Sequence, residues 1–494
     1  MAILFEGFAA ALQPANLGFI LAGTALGVFV GAMPGLNSTV GLALVLPITF
    51  SLTPVPALLM MVSLYMAAQY GGSITAITIG VPGSSPALAT TFDGYPMCRR
   101  GEAGRALGIS LFASVIGGVI GAILLMIALD PLSRMGLAFG PTESFALGVF
   151  GLSIVANLVG ESPVKGIVSA VLGLVFFLVG LDVLTGSPRL TLGVPVLMDG
   201  LELVPMLIGF FAIAEAFKAI VSRTGPNLVG KIGATRPGAR ELVRLWPSIA
   251  RGSAIGGAIG AIPGAGATIA SLVAWNEEKR ASRRPETFGR GAPEGIAAPE
   301  AANNACVGAA MIPLLALGIP GSASTAVLLG GLRVQGISPG PLFLDEHASL
   351  VSSLYAGFLV AVLCMLAVGI LGIPLWTRVV RLPSSVLMPI VVGISLVGTF
   401  ALRGNPFDAW VALFFGVIGF VMLRRGYPLV PAVLGLILGP MIETNYRRAL
   451  TLSSGSHATF LESPISLLLL VLAAASFAVP VLRRRIIQWR SART

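Results

Sequence analysis

The stretch Gly31-Ala-Met-Pro-Gly-Leu-Asn-Ser-Thr39 interrupts a long apolar segment with a Pro-Gly pair. It recurs as Gly260-Ala-Ile-Pro-Gly-Ala-Gly-Ala-Thr268, which keeps the Gly, Ala, Pro, Gly and Thr positions. A second motif follows each copy in the same order, Gly80-Val-Pro-Gly-Ser-Ser-Pro86 and Gly318-Ile-Pro-Gly-Ser-Ala-Ser324. Two motifs that recur in one order indicate an internal duplication rather than chance.

Each Pro-Gly pair is expected to end an apolar helix. Pro lacks the backbone N–H that a helical hydrogen bond requires, and Gly adopts non-helical backbone conformations readily. Lipid cannot satisfy the freed backbone groups, so such breaks persist only inside protein or beside a water-filled cavity. Ser, Thr or Asn follows each pair and predicts the N-cap of a restarted helix. A restarted helix directs free N–H groups and partial positive charge at the break, which makes an anion site without a charged side chain. One Pro-Gly pair alone would indicate a simple kink; four pairs linked by duplication favour a binding site.

The composition assigns the chain to the membrane. Its 494 residues are 55% hydrophobic and 11% charged, with a mean hydropathy of +0.93, whereas soluble domains carry about 25% charged residues. Uncharged runs long enough to span a bilayer cover residues 106–129, 348–376, 383–402 and 464–482. We therefore predict an all-α polytopic membrane protein with roughly ten to twelve membrane-embedded helical segments, broken or re-entrant at the Pro-Gly pairs.

The net charge of +10 is concentrated in loops and at the C-terminus. This is the positive-inside pattern of a multi-pass protein of the bacterial inner membrane, and it argues against nucleic acid as a partner. It predicts that residues 94–105, 223–251 and 483–494 face the cytoplasm. The acidic stretch 340–347 and the N-terminus, which lacks Lys and Arg, are expected on the periplasmic side.

The flanking charges invert between the two copies, which predicts an inverted-topology repeat with its site at the repeat interface. We divide the chain into a first membrane repeat (1–222), a basic cytoplasmic linker (223–251), a second membrane repeat (252–482) and a basic cytoplasmic tail (483–494). A charged loop, 276–300, interrupts the second repeat. If that loop is cytoplasmic, residues 252–275 form a re-entrant hairpin folded at Pro263-Gly264; otherwise they form a broken span.

An anionic substrate in the first repeat would have to be held by backbone N–H groups and hydroxyls, because residues 7–92 contain no Asp, Glu, Lys or Arg. Unwound carbonyls nearby could coordinate Na⁺. The candidate substrate-binding residues are those at and just after the breaks, together with one hydroxyl on the preceding helix: Gly35, Asn37, Ser38, Thr39, Ser73, Gly83, Ser84, Ser85, Gly264, Thr268, Gly321, Ser322, Ser324 and Thr325.

A second candidate site opens a long uncharged helix. Glu300, Asn303 and Asn304 lie at i, i+3 and i+4, hence on one helix face. A carboxylate and two amides on one face could bind a cation or a proton and couple it to transport; helix capping by Glu300 is the simpler alternative. Asp182 is either an intramembrane functional group or a boundary residue paired with Arg189.

Further motifs surround these sites: Tyr70-Gly-Gly-Ser73, Asp93-Gly-Tyr-Pro96, Lys165-Gly-Ile, Val179-Gly-Leu-Asp182, Gly186-x-x-Arg189 and Pro293-Glu-Gly-Ile-Ala-Ala-Pro-Glu-Ala-Ala-Asn-Asn304. With the duplicated Pro-Gly motifs, they make the chain resemble, over nearly its full length, the large membrane subunit of the tripartite tricarboxylate transporter family. The resemblance implies a small membrane subunit of about four spans and a periplasmic solute-binding protein that delivers substrate. It also implies uptake of citrate-like tricarboxylates or related small carboxylates, driven by a Na⁺ or H⁺ gradient.

Enzymatic motifs are missing from the sequence. It contains no G-x-x-x-x-G-K-[ST], HExxH or GxSxG, and the three cysteines are isolated. We therefore predict no catalytic site and no cofactor beyond a coupling ion. The alternatives to a secondary transporter are an anion channel and, less favoured, a membrane-embedded enzyme.

Overall fold

The computed structural model describes residues 2–33, 35–158, 162–182, 184–222, 237–379 and 384–476. Within these ranges the chain is almost entirely helical, and nine helices are long and apolar enough to cross a membrane. Four shorter apolar helices accompany them: Ser38–Phe50, Pro163–Phe177, Ala323–Val334 and Pro464–Ser476. The predicted all-α polytopic membrane fold is confirmed.

The helices of the first part of the chain are α1 (Ala2–Ala11), α2 (Pro14–Gly31), α3 (Ser38–Phe50), α4 (Pro54–Ile79), α5 (Leu88–Arg99), α6 (Ala103–Leu137), α7 (Pro141–Leu158) and α8 (Pro163–Phe177). A two-residue strand, β1 (Gly180–Leu181), pairs antiparallel with β2 (Pro188–Arg189). Helix α9 (Leu203–Leu207) continues through a π-helical segment (Ile208–Ile213) into α10 (Ala214–Ser222). Four helical segments thus lie between Arg105 and Ser222 in the described part of the chain.

The helices of the second part are α11 (Ala239–Gly260), α12 (Gly266–Ala281), α13 (Glu294–Leu317), α14 (Ala323–Val334), α15 (Phe343–Glu346), α16 (Ala348–Val379), α17 (Ser384–Arg403), α18 (Pro406–Arg424), α19 (Leu429–Leu452), α20 (Thr459–Glu462) and α21 (Pro464–Ser476). Short 3₁₀ turns occur at Ser85–Ala87, Pro195–Leu197 and Pro285–Thr287. The predicted cytoplasmic tail, 483–494, lies outside the described residues, as does Pro34.

The contacts divide the chain into two compact units. One comprises Met1–Ser133 and Val204–Phe420, the other Arg134–Leu203 and Val421–Thr494. Each unit combines segments of both predicted repeats, so the repeat boundaries do not coincide with the units and stay a prediction. In the second unit α19 packs against α7 and α8. The approach to α8 is close, because a Cβ on Gly173 would lie 1.9 Å from the carbonyl oxygen of Ala432.

In the first unit the order of the helices follows the predicted duplication. Helices α2, α3, α4 and α5 recur in order as α11, α12, α13 and α14, and each set is interrupted twice. Glycine lets the long helices of each set meet: a Cβ on Gly27 would lie 2.4 Å from the carbonyl oxygen of Leu64, and one on Gly256 would lie 2.2 Å from that of Ala302. These pairs place α2 against α4 and α11 against α13. Helices α4 and α13 are the most enclosed of the nine candidate spans in the described ranges. In the most apolar 18-residue stretch of each helix, 100% and 94% of the residues are buried, respectively.

Parts of the predicted basic linker (223–251) and of the predicted charged loop (276–300) are helical. Residues 239–251 form the first half of α11, while 223–236 lie outside the described residues. Helix α12 continues to Ala281, so the connection to α13 is shorter than 276–300. Propensity explains this difference, since Glu, Lys, Arg and Ala are good helix formers that charge alone does not exclude from a helix.

Helices α11 and α12 form a hairpin. The Ser248 hydroxyl, in the middle of α11, donates to the Glu278 carboxylate near the end of α12 at 2.8 Å, and Arg251 also pairs with Glu278. The chain therefore reverses direction at Pro263-Gly264, as the hairpin alternative required. Its entry into a bilayer from the cytoplasmic side stays a prediction.

Candidate functional site

The first break, residues 32–37, joins α2 to α3. Gly35 has φ +88°, a left-handed conformation that favours glycine. Asn37 is the N-cap of α3, and its side-chain oxygen accepts a hydrogen bond from the Val40 N–H at 3.0 Å. This agrees with the predicted capping. Ser38 and Thr39, both buried, occupy the first turn of α3.

The fourth break, residues 318–322, joins α13 to α14 in a matching way. Gly318 ends α13 with φ +71°, and Ser322 caps α14 in a capping box with Thr325. The Ser324 hydroxyl lies 2.8 Å from that of Ser38 and 3.0 Å from that of Thr39. The N-termini of α3 and α14, one from each copy, therefore begin side by side.

The second break, residues 80–84, lies against the end of α2. Gly80 has φ +72° and the Gly83 N–H donates to the carbonyl of Gly72 at 3.1 Å. A Cβ on Gly83 would lie 2.1 Å from the carbonyl oxygen of Gly31, so this approach requires glycine. The Ser84 hydroxyl is buried and has no hydrogen-bond partner among the described residues, whereas Ser85 is exposed.

The third break, residues 261–265, contacts the fourth. The Gly264 N–H donates to the carbonyl of Gly321 at 3.0 Å, and Gly264 has φ +81°. Helix α12 begins with Ala265 at its N-cap and no side-chain cap, and Thr268 is half-buried in its first turn. α12 also packs against the 3₁₀ turn that follows the second break. Each break thus lies against two of the other three, and most of the predicted substrate-binding residues lie at these contacts.

Capping was predicted correctly at two breaks and wrongly at the other two. Asn37 and Ser322 cap restarted α-helices, but Ser84 precedes a short 3₁₀ turn and its side chain makes no cap bond. At the third break an alanine takes the N-cap position, because Gly264 and Gly266 both adopt positive φ and shift the helix start. The uncapped first-turn N–H groups at the second and third breaks leave donors for another acceptor.

Glu300 forms a separate polar cluster. Its carboxylate is fully buried on α13 and accepts hydrogen bonds from Ser73 of α4 at 2.5 Å, from Thr90 of α5 and from Ser114 of α6 at 2.9 Å. Helix capping does not describe this arrangement, because Glu300 lies well inside α13. Ser73, predicted with the substrate-binding set, donates to Glu300 and so contacts this cluster.

Unpartnered amide oxygens accompany this cluster. Asn304 donates to the carbonyl of Glu300 at 3.3 Å, and Asn303 donates to the carbonyl of Gln69 at 3.5 Å. The side-chain oxygens of Gln69, Asn303 and Asn304 are buried and accept no hydrogen bond from a described residue. Buried amide oxygens are normally satisfied, so these oxygens are available to a cation or to water. Sequence spacing could not reveal Gln69, which lies on another helix.

The two sites are connected through adjacent residues of α4. Gly72 accepts from the second break through its carbonyl, while Ser73 donates to Glu300. A Cβ on Gly72 would lie 2.2 Å from the Ser84 hydroxyl, so helix and break are in close contact. Adjacent residues of α4 therefore contact the second break and the Glu300 cluster.

Asp93 anchors the connection that precedes α13. Its carboxylate is fully buried and accepts from the backbone N–H groups of Gly289, Gly291 and Ala292 at 2.8–2.9 Å and from the Trp275 indole at 2.8 Å. These bonds hold the α12–α13 connection against α5, the helix that also supplies Thr90 to the Glu300 cluster. Asp93 belongs to the motif Asp93-Gly-Tyr-Pro96, from which no role for its carboxylate could be predicted.

Asp182 directly follows β1 in the second unit and lies outside the described helices. It lies 3.4 Å from Arg189 and 2.9 Å from Arg447. The backbone N–H groups of Thr185 and Leu184, followed by the Arg447 guanidinium, lower the pKa of Asp182 to about 2. The pairing with Arg189 favours the boundary alternative.

This chain is similar to one known protein family and to two proteins of Agrobacterium vitis. The model of the Tripartite tricarboxylate transporter TctA family matches residues 17–434. An uncharacterized 52.8 kDa protein in the TAR-I ttuC' 3'region of Agrobacterium vitis is 36% identical over 486 residues, covering 96% of this chain and 95% of the relative. An uncharacterized protein in the TAR-II ttuC' 3'region of the same organism is 36% identical over 215 residues, covering 44% of this chain and 89% of the relative. No solved structure matches the chain.

Proposed function

Because the chain belongs to the tripartite tricarboxylate transporter TctA family, the large membrane component of such systems, we propose that it is the permease subunit of a binding-protein-dependent secondary transporter. It imports tricarboxylates or related small carboxylates across the inner membrane, driven by a Na⁺ or H⁺ gradient. A periplasmic solute-binding protein delivers the substrate, and a small membrane subunit of about four spans completes the assembly.

The observation that carries this proposal is the convergence of four broken helices from two repeats. The substrate carboxylates bind between these breaks, on first-turn N–H groups and on hydroxyls such as Ser84. Helix N-termini supply positive potential from the backbone, each contributing about 0.3–1 kcal/mol and up to about 2 kcal/mol when partly buried. Isolated cationic side chains would be costly at this depth. A modest site of this kind suits a carrier, which must release what it binds.

The coupling ion binds at the Glu300 cluster, with the oxygens of Asn303 and Asn304 as further ligands. Loading this cluster changes the Ser73–Glu300 contact, and the neighbouring Gly72–Gly83 hydrogen bond transmits the change to the second break. Ion and substrate occupancy are thereby coupled without direct contact between them.

The two hairpin-bearing repeats enter the membrane from opposite sides. The end of α5 contacts the α12–α13 connection through Arg100, and the end of α14 contacts the end of α3 through the 2.6 Å hydrogen bond from Gln335 to Thr49. The first contact joins basic segments and the second lies beside the acidic stretch. The positive-inside rule supports a cytoplasmic position for the first contact, and in this proposal the N-terminus is periplasmic and the C-terminus cytoplasmic.

The test is uptake by proteoliposomes that contain the full chain with its small membrane subunit, with substrate-loaded binding protein outside. We expect saturable uptake that requires both the binding protein and an imposed Na⁺ or H⁺ gradient. Flux that never saturates and proceeds without a gradient would instead identify an anion channel and refute the proposal.

A further inference from the structure

A large polar groove lies away from the breaks, between the first half of α11 and the connection from α12 to α13. It has a volume of about 1060 Å³. Five arginines line it: Arg105, Arg240, Arg244, Arg283 and Arg284. The transport proposal assigns no role to this groove.

Most of the acidic side chains in this region are already neutralised. Glu241 pairs with Arg105 at 2.5 Å, and Glu278 pairs with Arg251 and accepts from Ser248. Glu294 is the remaining carboxylate along the described lining.

Four arginines of the lining have no counter-ion. The side chains of Arg240, Arg244, Arg283 and Arg284 make no ion pair or hydrogen bond with any described residue, and all four are exposed. The groove therefore holds a strong excess of unpaired positive charge.

The position of two of these arginines is unfavourable for the helix itself. Arg240 lies in the first turn of α11, where the helix dipole disfavours a cation, and Arg244 follows one turn later on the same face. Placing charge there costs stability, which an anionic ligand in the groove would offset.

The same helix segment has the character of a membrane interface. Val243 and Trp246 are 75% and 53% exposed, whereas Leu245 and Ile249 are buried against the protein. Exposed Trp beside arginine is typical of a helix at the level of lipid headgroups. Basic pockets at the ends of membrane helices are suited to phosphate headgroups.

We propose that this groove binds a phosphate-bearing anion through Arg240, Arg244, Arg283 and Arg284. Guanidinium groups match phosphate oxygens with paired hydrogen bonds, and all four arginines line the same groove. The phosphate comes either from the headgroup of an anionic phospholipid or from a soluble phosphate. The exposed apolar residues on α11 place the groove where a lipid headgroup would reach it.

Native mass spectrometry of the full-length protein in detergent tests this assignment. Phosphatidylglycerol and phosphatidylcholine of matched chain length are titrated against the wild type and the double variants Arg240→Gln/Arg244→Gln and Arg283→Gln/Arg284→Gln. We expect selective binding of phosphatidylglycerol, weakened about five-fold per arginine removed and hence about 25-fold in each double variant. In a second arm, inorganic phosphate is titrated calorimetrically against the same proteins without added lipid.

The matched control is Arg290→Gln, an exposed arginine of the same connection that does not line the groove. Phosphatidylglycerol binding that weakens about 25-fold in both double variants but is kept in the control supports the proposal with lipid as the source. Phosphate binding with the same pattern supports it with a soluble anion as the source. The proposal is overturned if both double variants, shown to be folded by their unfolding temperature, bind phosphatidylglycerol and phosphate as the wild type does.

Discussion

Replacing Glu300 with Gln removes the ionisable carboxyl group of the central cluster and keeps its shape. In the wild type the carboxylate accepts three hydroxyl hydrogen bonds, from Ser73, Thr90 and Ser114. A hydrogen bond to a charged group contributes about 1.5–3 kcal/mol, so the three together offset much of the several kcal/mol that burying a carboxylate costs. The Gln side chain keeps one acceptor oxygen and adds an N–H donor. A rotated hydroxyl can accept a hydrogen bond from that N–H group.

The gain and the loss nearly cancel, so Glu300→Gln should fold normally. We expect its unfolding temperature to stay within about 4 °C of the wild type, while gradient-driven uptake falls to the level of protein-free liposomes. The double variant Asn303→Ala/Asn304→Ala should lose uptake for the same reason. The matched control is Glu286→Gln, an exposed carboxylate on the connection before α13, which should transport normally.

The assay is initial-rate uptake in proteoliposomes, with thermal unfolding measured on the same preparations. Wild-type uptake kinetics in Glu300→Gln would reduce the cluster to a packing role and remove the ion site from the mechanism. A large fall in unfolding temperature together with lost uptake would also contradict the calculation above, because it would mean that the charge is needed for the fold.

Three further predictions concern other parts of the chain. Ser84→Ala combined with Ser322→Ala should raise the apparent KM about ten-fold or more with little change in maximum rate, because hydroxyls that bind a charged ligand are removed; an unchanged KM in the uptake assay would exclude them as ligands. Single cysteines in 94–105 should resist labelling from outside intact cells and those in 340–347 should react, and the reverse pattern would overturn the topology. Asp182→Asn should lower the unfolding temperature above about pH 4 and lose this effect as pH falls toward 2, because a carboxylate with a depressed pKa stabilises only while it is ionised; a difference independent of pH would show that charge is not the cause.

The sequence carried enough information to predict the fold class and the broken helices. Four Pro-Gly pairs in apolar runs mark chemistry that is local: the missing N–H of Pro, the positive φ open to Gly and the capping oxygen of a nearby side chain. Gly35, Gly264 and Ser322 behave as these local rules require.

The composition of the Glu300 cluster could not be predicted from the same sequence. Thr90, Ser114 and Gln69 come from three different helices, and no spacing along the chain relates them to Glu300. Asp93 is similar, since its partners lie on a connection nearly 200 residues later. Such contacts depend on how helices pack, which periodicity does not encode. The charged segments were wrongly predicted to be a linker and a loop. Helix propensity extends α11 and α12 through part of both segments.

The central claim is that the substrate carboxylates bind between the four breaks, and electron cryomicroscopy of the full transporter tests it most directly. A carboxylate selected by binding to the cognate periplasmic protein is added at saturating concentration with the coupling ion. We expect ligand density within hydrogen-bond distance of Ser84 and of the first turns of α3, α12 and α14. Density elsewhere, for example against the arginines at the start of α11, with the breaks unliganded, would contradict it.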